Sequence, residues 1–472
     1  VSTATVVGSG PNGLACAVAL ARAGVAVTVL EAEGTIGGGT RSAELTLPGV
    51  IHDVCSAGHP MAVASPFFRS LGLERHGLEW RWPEVDLAHP FDDGSAASMV
   101  RSLDETAAGL GADGASWRRL FASPSANFDA LNEDALRPIL HLPRHPIRLA
   151  RFGLPAAAPA TLLARRWETP AARALFGGVA AHGFGPLTRP MSAAVGMALV
   201  CACHSVGWPV AAGGSQSLAD ALAADLREHG GKIETGVRVG SLGELGSPEI
   251  VAFDLAPGAV AEIVGDRLPA RVARAYRRYK HGPAAFKVDL AVEGGVPWVA
   301  EAPRKAGTVH VAGSLEEIVA AEREVNCGRI PARPFVLVCQ QYLADPQRSA
   351  GDVHPIWAYA HVPNGYAGDG EKAVLDQIER FAPGLRERIV ASAVRSPAEL
   401  EAGNANYVGG DIVTGANTPV QTLIRPRLAL DPYATGVPGV FICSAATPPG
   451  GGVHGMGGYN AAQSALRHLG RP

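Results

Sequence analysis

Lysine is scarce in this 472-residue chain, and no run of eighteen apolar residues is free of charge and proline. The second absence excludes a helix able to cross a membrane. Paired cysteines are also missing. Seven are scattered along the chain, and Cys201 and Cys203 have no second pair nearby. Neither a zinc site nor a disulfide framework is therefore expected. Reduced, buried thiols in a cytoplasmic protein without a secretory leader are the expected state. A formal charge of −3 gives no basic surface for a dedicated nucleic-acid binder. No internal repeat stands out. What the chain does have is apolar bulk: 47% of its residues, enough for a large core and two or three domains.

The chain is organised around its first forty-two residues. Ala4 to Val7 reads as a strand, followed by Gly8-Ser9-Gly10-Pro11-Asn12-Gly13, a helix to Gly24, and a second strand from Val25 to Leu30 closed by Glu31. This is the βαβ unit that binds dinucleotides. Gly8 allows the tight turn, Gly10 lets backbone approach a pyrophosphate, and Gly13 lets the helix sit close to the strand. The helix start offers unpaired N–H groups to phosphate. Glu31 stands where a carboxylate accepts hydrogen bonds from a ribose diol.

A second glycine stretch, Gly37-Gly38-Gly39-Thr40-Arg41-Ser42, follows at once. From Glu31 to Ser42 the chain resembles flavoproteins of the amine oxidase and phytoene desaturase superfamily. There this stretch and its arginine lie along the FAD pyrophosphate and toward the flavin. Two later segments extend the resemblance. Gly213-Gly214-Ser215-Gln216-Ser217-Leu218 opens a helix to Glu228, and Gly230 to Val239 turns into an alternating strand. In bacterial carotenoid desaturases the matching position, Val239, holds the adenine edge through its backbone. The family then inserts a β-hairpin. Here only Gly240 to Glu249 precede the strand Ile250–Asp254, so a truncated ribbon is expected.

The third segment runs from Asn404 through the strand Gly439–Cys443 to Ser444-Ala445 and a turn with six glycines in nine residues, Gly450 to Gly458. A helix follows, to Leu469. In related flavoproteins such a helix start faces the pyrimidine end of the flavin and stabilises charge that develops there on reduction. Gly455 and Met456 are the implied contacts. His454 is the polar group expected nearest the flavin, as a catalytic residue or as a residue that orders the loop. Ser444 stands where many relatives have glycine, and Pro448 where many have histidine.

Together the three segments closely resemble the phytoene desaturase-related family of FAD-dependent oxidoreductases. The resemblance implies an α/β fold with a Rossmann-type FAD domain assembled from residues 1–99, 205–267 and 404–472. It also implies a mixed-sheet substrate domain from 268–403, with a helical lid and substrate region from 100–204. The implied cofactor is FAD, bound through Gly8, Gly10, Pro11, Asn12, Gly13, Glu31, Gly38, Gly39, Thr40, Arg41, Ser42, Val239, Ser444, Ala445, Gly455 and Met456. The implied partner is an apolar, polyene- or isoprenoid-like small molecule that exchanges hydride with flavin N5, by desaturation or isomerisation. Three rivals stay open: an amine or amino-acid oxidase, an NAD(P) dehydrogenase, and a protein that keeps FAD without catalysis.

Two further stretches carry expectations. Residues 135–167 interleave leucine and isoleucine with six arginines, and no acidic residue occurs between Asp134 and Glu168. Such a segment suits a lid over the substrate and also contact with an anionic membrane surface. Trp357, Tyr359 and His361 fall on one face of a predicted strand, as cavity wall or as core. His59, after the first arginine, reads as a loop histidine satisfied by backbone.

Overall fold

The computed structural model describes residues 2–138 and 140–471. Ile139, one of the apolar residues of the arginine-rich segment, lies outside the described residues. The chain begins with β1 (Thr3–Val7), α1 (Pro11–Arg22) and β2 (Ala26–Leu30). Alternation along the two strands buries Ala4, Val6, Val27 and Val29. Pro11 starts α1, where its fixed φ suits the helix and its missing N–H would have had no helical partner.

Next come β3 (Val85–Pro90) and β4 (Ala96–Met99), then α2 (Pro146–Ala156), α3 (Pro170–Ala181), α4 (Ala193–Val206) and α5 (Gln216–Glu228). Strands β5 (Lys232–Glu234) and β6 (Ile250–Phe253) follow, and then β7 (Ala284–Glu293) and β8 (Ala306–Val311). The remainder is α6 (Leu315–Asn326), β9 (Val336–Cys339), β10 (Val353–Val362), β11 (Ile389–Arg395), β12 (Val440–Ile442) and α7 (Met456–His468).

Two sheets divide these strands. The first is parallel, in the order β12-β6-β1-β2-β5. It draws strands from three distant parts of the chain, as the resemblance implies. The link from β5 to β6 holds one short 3₁₀ turn, Leu242–Leu245, and no hairpin. The second sheet is mixed, in the order β11-β7-β10-β9-β8-β3-β4. All its pairs are antiparallel except β3 with β8. This departs from the placement of residues 1–99 wholly in the nucleotide-binding part. Thr308 of β8 sits beside Leu87 of β3 across more than two hundred residues, a pairing that no local pattern carries.

Ten of the twelve residues of α1 are buried, more than one apolar stripe would give. The helix is covered by α5 and α7 as well as by the sheet. The crossing with α7 is close enough that a Cβ on Gly458 would lie 1.8 Å from the Asn12 carbonyl oxygen. Glycine is required there by steric contact.

The helical region 100–204 is two things. α3 and α4, rich in alanine and glycine, are core, packed with Trp117, Phe121 and Trp167. α2 is the outer piece. Ile147 is 70% exposed and Leu154 77%, while Phe152 of the same helix faces inward. Among the described residues no helix is long and apolar enough to cross a membrane, and no disulfide joins the seven cysteines, of which only Cys327 is exposed.

Candidate functional site: one cleft from the glycine turn to a histidine pair

A continuous cleft of about 1180 Å³ runs between the two sheets. A drug-sized ligand fills a pocket of roughly 300–1,000 Å³, so this cleft is larger than a single such ligand needs.

Its first part is walled by backbone. Gly8, with φ +99, turns the chain from β1 toward α1. The second glycine stretch folds back on the first: the Gly37 N–H donates to the Ser9 carbonyl at 3.0 Å. A Cβ on Gly38 would approach the Gly10 Cα to 3.1 Å, and one on Gly39 the Tyr407 hydroxyl to 2.2 Å. Gly38 and Gly39 therefore keep a narrow trough open. Glu31 ends β2 at its rim. Its carboxylate accepts from the Ser9 N–H at 2.9 Å and the Glu33 N–H at 2.9 Å, and also from the Ser9 hydroxyl. Both Ser9 bonds fall on Oε2, so it is Oε1, bonded only to the Glu33 N–H, that keeps a lone pair for a ligand. Arg41 is anchored on the Gly38 carbonyl at 2.8 Å and lines the cleft.

Asp254, at the end of β6, escaped the sequence reading. Its carboxylate accepts from the Gly13 N–H at 2.9 Å, so it sits against the start of α1. Burial raises its pKa to about 7 against the pull of that hydrogen bond, and the charge of Glu31 adds to the rise. A carboxyl group that is half protonated near neutrality therefore stands beside the trough.

Of the residues expected to hold the cofactor, Gly8, Gly10, Pro11, Asn12, Glu31, Gly38, Gly39, Arg41, Val239, Ser444 and Ala445 line the cleft. Gly13, Thr40, Ser42, Gly455 and Met456 do not, and each has another task. A Cβ on Gly13 would meet the Gly8 carbonyl at 2.2 Å, so Gly13 sets the approach of helix to strand. Thr40 closes its own turn on the Gly37 carbonyl at 2.8 Å. Ser42 donates to Asp53 at 2.8 Å. Gly455 faces Phe68 and Ala15, where a Cβ would come within 2.4 Å of the Phe68 ring. Met456 is buried against the α1 side of the sheet. The part of the glycine-dense turn that meets the cleft is Gly450 to His454.

His454 is buried, and its Nδ1 accepts from the Met456 N–H at 3.1 Å. Burial lowers its pKa to about 4. It is a neutral ring that orders the turn before α7. His59 is likewise buried, but its partner is the Ser215 hydroxyl at 2.7 Å rather than backbone. Burial holds its pKa near 4 as well.

The second part of the cleft is apolar. Phe152 of α2, Phe184, Ala194 and Ala198 of α4, and Tyr359 of β10 line it. Of the three β10 residues expected on one face, Tyr359 meets the cleft, Trp357 packs in the core, and His361 is tied to Glu322 of α6 at 2.5 Å. Lys287 of β7 is buried near Cys55, but its ammonium is held by Asp289 and lies over the Trp357 ring, and the residue does not line the cleft. Tyr407, Cys55 and His182 also line the cleft and were not foreseen as site residues. Only the packing of separate elements brings them there.

Comparison with known proteins agrees with this architecture. Residues 6–70 match the model of an NAD(P)-binding Rossmann-like domain. The chain is 24% identical to the rat (Rattus norvegicus) pyridine nucleotide-disulfide oxidoreductase domain-containing protein 2, over 99% of this chain and 93% of that protein. Among solved structures, an oxidoreductase from Methanosarcina mazei superposes with a TM-score of 0.64 at 15% identity, covering 98% of this chain and 100% of that one. Putrescine oxidase superposes at 0.61 with 17% identity, covering 100% and 99% of the two chains. Cyclohexylamine oxidase from Brevibacterium oxydans gives 0.58 at 16% identity, with full coverage of both. The fold is thus α/β, with a parallel Rossmann-type sheet and a separate mixed sheet, as in these oxidoreductases.

Proposed function

We propose that the protein is an FAD-dependent oxidoreductase whose substrate is largely apolar. The observation that carries this reading is the continuity of the cleft: a trough of glycine backbone, closed by Glu31, opens without a break into a chamber of aromatic and aliphatic side chains. The trough suits an adenosine diphosphate. Glu31 would accept from ribose hydroxyls, the backbone around Gly10 and Gly38 would lie along the pyrophosphate, and the wall at Val239 would take the adenine edge. Bound FAD would supply a hydride acceptor. The residues of the apolar chamber exclude water and hold a carbon against it, which is positioning rather than acid–base work.

Within this reading the reaction is a desaturation or isomerisation of a polyene- or isoprenoid-like compound. The neutral histidines support it. His454 and His59 have pKa values near 4, so neither brings a cation to the cleft at neutral pH. The second reading is an amine oxidase. The fold shared with putrescine oxidase and cyclohexylamine oxidase favours it, as do Tyr359 and Tyr407, two of the four tyrosines that line the cleft. Against it, Lys287 has its ammonium committed to Asp289.

Flavin content of the purified protein tests the cofactor. Anaerobic stopped-flow with carotenoid precursors, retinoids, fatty acyl compounds, polyamines and amino acids tests the substrate class. Bleaching of the oxidised flavin band by apolar compounds is expected. Bleaching by amines alone moves the assignment to the oxidase reading.

The outer face of α2 adds a place for the reaction. Ile147 and Leu154 of α2, and Leu142 just ahead of the helix, are exposed along with Arg144, Arg148 and Arg151, while Phe152 of α2 lines the cleft. This is the composition of a surface that rests on anionic lipid and passes an apolar compound inward. Sedimentation with anionic vesicles at low and high salt tests it. Salt-sensitive binding is expected, and absence of binding at low salt leaves α2 as a lid only.

A further inference from the structure

The far end of the cleft holds a polar pair that hydride transfer does not use. His182, just after α3, and His310 of β8 face each other with their Nε2 atoms 2.9 Å apart. His310 is fully buried, and its Nδ1 has no hydrogen-bond partner. The ring lies against α3 at Gly178, where a Cβ would come within 2.5 Å of Nδ1. The missing side chain is what makes room for it. Phe335 packs beside the His310 ring, with centroids 5.4 Å apart, and Trp208 stands edge-on to His182 at 5.7 Å.

Two Nε2 atoms at this distance share one proton. If His182 donated it, the proton of neutral His310 would sit on Nδ1, a buried N–H with no acceptor. That arrangement costs the full desolvation of the donor. If His310 donates, its Nδ1 is bare, which is the cheaper defect, and His182 must carry its own proton on Nδ1. Both rings are neutral. Burial lowers the pKa of His182 to about 3, and burial with the neighbouring histidines lowers that of His310 well below the usual value. His182 lines the cleft, its Nε2 is turned to His310, and its Nδ1 has no partner among the described residues. The result is a fixed, neutral N–H donor at the end of an apolar chamber.

We infer that the His182–His310 pair recognises a neutral oxygen (carbonyl, hydroxyl or ether) at one end of an otherwise apolar substrate, with the Nδ1–H of His182 as donor. The inference deepens the apolar-substrate reading above and rests on it. It narrows the substrate from a pure hydrocarbon to an oxygenated one. A neutral donor does not attract an ammonium, and it offers a carboxylate no counter-charge.

The probes are geranylacetone, a ketone with an isoprenoid chain, and the hydrocarbon of the same skeleton without the oxygen. Binding is read by quenching of tryptophan fluorescence, since Trp208 touches His182. This readout does not need flavin, so it separates failure of the inference from failure of the FAD assignment, which the flavin spectrum of the same sample reports. The parent is expected to bind the ketone about fivefold to tenfold more tightly than the hydrocarbon, the range of one neutral hydrogen bond. His182→Phe should abolish that preference, and His182→Gln, which keeps an N–H donor, should recover part of it. A parent protein that binds the two probes equally overturns the inference, as does a folded His182→Phe that still prefers the ketone. Nitrogen-15 spectra of histidine-labelled protein check the tautomers without any ligand: protonated Nδ1 on His182 and protonated Nε2 on His310 are expected, and the reverse assignment overturns the inference.

Discussion

At the Gly8–Glu31 end the wall of the cleft is largely the backbone of two glycine turns close in sequence, with Asp254 and Tyr407 packed against them. At the His182 end the wall is side chains, brought from α2, the segment after α3, α4 and β10 by the packing of a seven-stranded sheet against helices. The first end has little room for a Cβ at Gly10, Gly38 or Gly39 and presents carboxylates and N–H groups. The second is aromatic and aliphatic, and its polar groups are neutral histidines. A trough made of local turns can be read from glycine spacing. A chamber made of distant side chains can be recognised only once the strands are paired.

Acid should separate the two ends most strongly. His59, His89 and His454 have pKa values near 4, and His182 near 3, all through burial. Unfolded, each binds its proton near pH 6.5. Between pH 6.5 and about 4 the unfolded chain therefore holds more protons, and stability falls as pH falls through that window. At pH 5 the loss is on the order of 1–2 kcal/mol for each buried histidine. Because His89, His182 and His310 cluster, amide exchange at pH 5 should open β8 and α3 before β1 and α1. Simultaneous opening would show that the two ends fold as one unit.

Gly458→Val attacks the other end. The added side chain collides with the Asn12 carbonyl in the α1–α7 crossing. A loss of about 3 kcal/mol is expected in urea unfolding, the upper part of the usual cost of overpacking. An unchanged unfolding midpoint would mean that the crossing has room.

Glu31→Ala should lower FAD affinity by about 1.5–3 kcal/mol, the worth of hydrogen bonds to a charged acceptor, and leave binding of apolar probes at the far end unaltered. Titration of the apoprotein with FAD reads the first, and tryptophan quenching the second. Equal FAD affinity in mutant and parent would remove Glu31 from the ribose.

Asp254 offers a finer test. Its folded pKa is raised to about 7, so ionisation places a new negative charge beside the trough as pH rises through 7. Affinity for FAD, whose pyrophosphate is anionic, should weaken across pH 6–8. Asp254→Asn should flatten that dependence. Its folding linkage has the opposite sign to that of the histidines: stability from this group is lost as pH rises from about 4 to 7.

The smallest effect is expected outside the cleft. Replacing Arg148 or Arg151 of α2 with Gln should weaken binding to anionic vesicles by about 1 kcal/mol each, with no change in the fluorescence titrations.

Some of this was legible in the chain itself. Gly8, Gly10 and Gly13, followed eighteen residues later by Glu31, state a strand, a turn, a helix and a second strand, because each residue constrains only its near neighbours. The three-part parallel sheet was implied by the family resemblance of residues 213–239 and 439–460, not by spacing alone. Less legible was which glycine does what. Gly455 stands in the densest glycine turn, yet it faces Phe68 rather than the cleft, because the direction of a missing Cβ depends on how α7 crosses α1. The strands at 85–99 gave no sign of their partner, since β3 pairs with β8.

By itself, then, the sequence determined the dinucleotide turn, the carboxylate at its rim and the alternation of sheet and helix, all products of spacings shorter than about thirty residues. Only the tertiary structure decided that Asp254 sits against the start of α1, that Tyr407 closes over Gly39, and that His182 meets His310 across 128 residues. Those juxtapositions follow from strand order and helix crossing. Steric fit and burial act there between residues whose separation along the chain carries no information about their contact.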